Sequence, residues 1–151
     1  MDYTFDITLK TRAIFKNFLE TFSIEQLNKI PVGFRNTIYW NIKHVVITQQ
    51  LLAYALSGLP TLVSEEEIKA FRKGSKAEAD ATIEDVELLK KQLFSTVEQT
   101  QKDYNKGNFK EYSAYTVSTK TVLSTIDEAL EFNNFHEGIH LGYILAMKKN
   151  I

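Results

Sequence analysis

The chain has no cysteine, and only two prolines and six glycines among its 151 residues. Without cysteine there is no disulfide framework, no thiolate zinc site and no cysteine nucleophile. With so few prolines and glycines, long stretches run free of helix breakers. An excess of charge is missing too: 18 basic residues face 19 acidic ones, and no basic block interrupts the mixture. The electrostatic footprint of a nucleic-acid binder is therefore absent, and no nucleic-acid partner is expected. Nor is there an unbroken apolar run. The most hydrophobic segment, residues 38–56, is interrupted by Asn41, Lys43, His44, Gln49 and Gln50, so no membrane span is expected. The opening residues, MDYTFDITLKTR, show neither the basic start nor the apolar stretch of a secretory signal, which makes a cytoplasmic protein the expectation.

What the chain does have is the makings of one domain, residues 1–151, with 44% hydrophobic residues and enough length to bury a core. Both prolines and Gly33, Gly58, Gly74 and Gly107 fall between four long stretches with apolar residues at three- and four-residue steps. The first helix runs from about residue 3 to 21, with Phe5, Leu9, Ala13, Ile14, Phe18 and Phe22 on its stripe. The second covers about 37–57, with Asn36 as cap and Gly58 as stop. The third starts at Thr82, where Thr82 and Asp85 form a capping box, and ends near Gly107. The fourth starts near Thr125, with Glu128 three residues on. A short extra helix is expected in SEEEIKAFRKG, residues 64–74, between helices two and three. The β-branched piece at 112–124 reads as a loop or a short hairpin. The fold class is thus all-α, a four-helix bundle whose long connections leave its topology open.

Chemistry concentrates in three histidines, the only ones present. His136 and His140 are four residues apart and share one helix face, close enough for both rings to reach one ion. They belong to a His-Glu-x-x-His pattern, the signature of zinc proteases. That class needs a third ligand downstream, but only eleven residues follow His140 and the sixth of them is Ala146. A third ligand has to come from upstream, and His44 is the one histidine left. It lies mid-helix beside Val45 and Val46, on a stripe shared with Asn41 and Thr48, where a bundle can bring it to the same interior point. The competing reading is a histidine pair simply hydrogen-bonded within a packed helix. Neighbours Phe132, Tyr143 and Met147 imply that the face is at least partly buried. There, two unpartnered imidazoles are costly and a shared cation partners both. Gly138 and Gly142, one turn apart, each cost about 1 kcal/mol in a helix interior. They mark either a close backbone approach, within the bundle or across a dimer, or room for a ligand.

The stretch NTIYWNIKHVVITQQLL, followed about ninety residues later by FHEGIHLGYILAMK, resembles the DinB-like (damage-inducible) superfamily of metal-dependent enzymes. The resemblance spans nearly the whole chain. It implies an up-down-down-up four-helix bundle, often a homodimer, holding zinc or nickel on three histidines that fall here on His44, His136 and His140. It also implies thiol-dependent transferase chemistry with a low-molecular-weight thiol, or metal-dependent hydrolysis, on a small-molecule substrate. The family name refers to induction after DNA damage and implies no DNA binding. Transferase-like members carry a further His before the last ligand and Arg or Gln around the following Gly. Here those places hold Ile139, Leu141 and Tyr143, so the metal carries over and the reaction does not.

Three neutral ligands leave a divalent ion with an open position, the mark of a catalytic site. Glu137 is the nearest candidate base, although it points about 100° away from His136 around the helix, and a solvated or salt-bridged Glu is the competing reading. Asn41 and Asn133 are candidates for fixing an imidazole tautomer, and equally for buried amides satisfied by backbone. Trp40, Tyr39, Tyr143 and the 112–124 segment are candidates for lining a pocket. Two functions stand side by side: a metal-dependent transferase or hydrolase, and a non-catalytic metal-binding or dimerising bundle.

Overall fold

Helix starts are encoded as a hydroxyl residue followed three positions later by an acid or amide. The computed structural model, which describes all 151 residues and is predominantly helical, begins most of its helices that way. Ser23, Ser64 and Thr82 each close a complete capping box, at the starts of α2 (Ile24–Asn28), α4 (Glu65–Phe71) and α5 (Ile83–Asn105). Thr37 caps α3 (Ile38–Ala53) by accepting from the Trp40 amide, so the cap lies one residue beyond the expected Asn36. Thr125 accepts from the Glu128 amide at the start of α6 (Ile126–Met147). Only α1 (Asp2–Thr21) starts without a side-chain cap. A 3₁₀ turn at Ala55–Ser57 extends α3 to Gly58, whose φ of +69° ends the run in the left-handed region. The extra helix is present as α4, whereas α2 was not expected. Between α5 and α6, β1 (Tyr115–Thr116) and β2 (Val122–Leu123) pair antiparallel, which resolves the 112–124 segment as a hairpin.

The four long helices pack side by side: α3 against α5 and α6, and α1 against α5 and α6. Their register is set by particular pairs. Phe5 meets the ring of Tyr104 edge-on, and Thr8 donates to Asn134. Gln49 donates to the Thr100 hydroxyl, and Tyr54 to Asp103. Asn41 touches Met147, and Leu52 packs with Ala129. The core between them includes Phe15, Ile42, Val46, Leu89, Leu93 and Ile144, all fully enclosed. Each such side chain contributes about 1.5–3 kcal/mol relative to an exposed one.

Two stripes differ from their sequence reading. In α1 the inward face carries Phe15, Leu19 and a fully buried Arg12, while Ile14 stands 43% exposed. The helix has apolar residues on more than one side, and only packing selects among them. In α3 nearly every residue is buried, including the polar Asn41, Lys43, His44, Gln49 and Gln50. The interruptions that argue against a membrane span are therefore interior groups with partners. No helix is long and apolar enough to cross a membrane.

Candidate metal centre

The three histidines converge. Their ring centroids lie 4.6 Å apart for His136–His140, 4.8 Å for His44–His140 and 5.2 Å for His44–His136. The planes tilt against one another by 53–57°, a nearly three-fold arrangement. One ligand nitrogen from each lies within 4.8 Å of the other two. The i, i+4 spacing supplies His136 and His140 from α6, and α3 supplies His44 from across the interface.

Two of the rings are held by their far nitrogens. His44 Nδ1 donates to the Phe71 carbonyl at 2.6 Å, and a carbonyl can only accept, so the lone pair sits on Nε2. Trp40 stacks on the same ring at 4.6 Å and 9°. His140 Nδ1 lies 2.9 Å from Asn41 Oδ1. The Asn41 amide is itself oriented because its Nδ2 donates to the Thr37 carbonyl, which leaves Oδ1 as the acceptor and His140 Nδ1 as the donor. Asn41 thus fills its expected role, and His140 too carries its lone pair on Nε2. Hydrogen-bonding the far nitrogen is the usual way a protein fixes a metal-binding imidazole. The Phe71 carbonyl, at the end of α4, had no side-chain signal in the sequence. Its placement is secured by Lys43, buried in α3, which pairs with Glu67 of α4 and Gln92 of α5.

The third ring is not held in this way. His136 Nδ1 is buried and has no hydrogen-bond partner. Leaving such an atom unpaired costs about 1–3 kcal/mol. The only other hydrogen bond at the ligand nitrogens comes from Thr48, whose hydroxyl lies 3.2 Å from His44 Nε2. Three neutral imidazoles, two of them with the lone pair fixed on Nε2, suit a borderline cation.

Burial also keeps the rings neutral. It pushes His136 down to about 2, helped by the neighbouring His140, His44 and Arg12, and His140 down to about 4, helped by His44. His44 is lowered by burial as well, against the opposing hydrogen bond to Phe71. Unfolded histidine titrates near 6.5, so between there and the depressed folded values the unfolded chain binds more protons. Stability of the metal-free protein should be full above about pH 6.5 and fall as pH drops through that window, by roughly 2 kcal/mol at about pH 5 for each of His136 and His140. Thermal melts on either side of the window check this; an unchanged melting temperature would mean that the rings are not locked neutral.

Glu137 faces the other way. Its carboxylate is fully enclosed against α1, where Arg12 Nε and Nη2 donate to it at 3.0 and 2.8 Å and Asn133 Nδ2 donates at 2.8 Å. Arg12 Nη2 also reaches the Val45 carbonyl, next to His44. Of the two readings for Glu137, the structure shows the salt bridge, buried and not solvated. Asn133 serves this pair and no imidazole. Arg12 was missed, although a lone arginine among Phe5, Leu9 and Phe15 was a readable sign of a buried counter-charge.

A cavity of about 570 Å³ opens onto the histidines, with Trp40, Tyr115, Val117 and Ser118 in its wall. Trp40 and the hairpin therefore line it as expected, whereas Tyr39 and Tyr143 do not. Around Gly138 and Gly142 nothing lies within 4 Å of where a Cβ would sit, so the bundle itself makes no close approach there.

Fold and site together define a helical protein with three histidines positioned to bind a metal ion. Comparison with protein families makes that class specific: the model described as the DinB superfamily matches residues 8–144, and the chain belongs to this superfamily. No curated protein matches it.

Proposed function

We propose that this protein is a metal-dependent enzyme, a transferase or hydrolase acting on a small molecule, with His44, His136 and His140 holding one zinc or nickel ion. The observation that carries this reading is the convergence of three neutral imidazoles on a common point at the end of a cavity, two of them with the lone pair fixed on Nε2. A divalent ion there would act as a Lewis acid, acidifying a bound water or a low-molecular-weight thiol or polarising an electrophile. The chain's own part is to fix the tautomers of His44 and His140 through Phe71 and Asn41 and to wall the site with Trp40 and the hairpin. Glu137, enclosed with Arg12, is not proposed as the base; no carboxylate lines the cavity.

The reading takes the four long helices as one up-down-down-up bundle, supported by the pairing of Lys43 with Gln92 and Gln49 with Thr100 along α3 and α5, and of Phe5 with Tyr104 at opposite ends of α1 and α5. It also includes a homodimer. Phe135, Ile139 and Leu145 stand exposed on α6 beside the open glycines, an apolar face of the kind that a second copy covers. Light scattering that returns a monomer at micromolar concentration removes that part.

The decisive experiment is elemental analysis after dialysis and reloading. About one equivalent of zinc or nickel per chain is expected. Absence of metal together with no uptake would leave a plain helical bundle.

A further inference from the structure

The cavity is wider and more apolar than a metal site alone requires. Beyond the three rings its wall is built from Trp40, Leu51, Leu52, Leu56, Val117 and Phe132. Its other polar side chains are Thr48, Tyr115, Ser118 and Lys73, three hydroxyls and one ammonium. Thr48 is already engaged at His44, and no Asp or Glu faces the space. A cationic ligand would therefore find no counter-charge. A polar thiol bearing several carboxylates, amides and an amine would find too few partners, and each buried group left unpaired costs about 1–3 kcal/mol. The volume, about 570 Å³, lies in the range of pockets that enclose a drug-sized molecule.

We infer that the substrate held in this cavity is a neutral or singly anionic molecule with an extended apolar body, an alkyl or aryl chain, and one polar head directed at the histidines. The apolar wall selects the body, and the histidine end takes the head. Lys73, the one charged side chain in the wall, tolerates a single negative charge. This rests on the metal-dependent reading only for the head; the body is selected by the wall alone.

Two ligand series separate the two claims. Straight-chain alkyl hydroxamates, whose head chelates metal, and carboxylates of the same chain lengths are titrated into zinc-treated protein and into metal-free protein. Affinity should rise about fourfold per added methylene in both series until the cavity is full. Ala55 is exposed and lines the cavity, so Ala55→Trp should fill part of the space and end the rise at a shorter chain. Hydroxamates should exceed carboxylates only on the zinc-treated protein. A rise with chain length but no zinc-dependent advantage would sustain the apolar substrate and sink the metal reading. Affinity flat with chain length on protein that holds zinc, or tighter binding of a polar tripeptide thiol than of the longer chains, would overturn the inference and leave the metal reading standing.

Discussion

Replacing Glu137 by alanine should destabilise the protein by about 3–5 kcal/mol, a loss large enough to unfold many domains of this size. The reason is the partner left behind. Arg12 is fully buried, with its guanidinium held by the Glu137 carboxylate and the Val45 carbonyl. Without the carboxylate its charge has no counter-charge and no route to water. Replacing both residues, Arg12→Met with Glu137→Met, should recover most of the loss, because the cost lies in breaking the pair and not in lacking it. Recovery should be incomplete, since Asn133 would lose its acceptor. Urea unfolding of the two variants checks the sign and the order. If the single substitution cost less than about 1 kcal/mol, the pair would have to be water-accessible, in conflict with its burial.

Replacing His44 by alanine should weaken zinc or nickel binding by about two to three orders of magnitude, as expected from dividing the binding energy of a nitrogen- and sulfur-ligated zinc among its ligands. Asn41→Leu should weaken it by about 10–100-fold without removing a ligand, since His140 would lose the acceptor that fixes its tautomer. Chelator competition reads both. Binding unchanged in His44→Ala would show that any ion is held by the α6 pair alone, and the proposed three-histidine centre would be wrong. Stability should respond in the opposite sense. With His44 gone, one fewer buried ring has to stay neutral in the metal-free protein, so its loss of stability at low pH should shrink.

These two experiments probe sites that were unequally visible in the sequence. His136 and His140 could be paired on paper because four residues make about one helical turn. Capping residues located the starts of α5 and α6 for the same reason: a cap and the amide it binds are three residues apart. His44 could be assigned to the group by elimination and by resemblance, but its distance from α6 could not be computed from spacing. The ion pair was less visible still. Arg12 and Glu137 are 125 residues apart, and Glu137 sits in a pattern that suggested different chemistry.

The sequence by itself determined the four long helices, their ends to within a residue or two, and the sharing of one face by two histidines, because those features depend on interactions within about one turn of backbone. Only the tertiary structure decided that His44 meets that face, that the Phe71 carbonyl and Asn41 orient the rings, that Glu137 turns away to Arg12, and that the glycines of α6 stay open. Each of these depends on which helix faces which, and at what rotation. That choice is made by the packing of the whole core, to which every buried side chain contributes and which no short segment encodes alone.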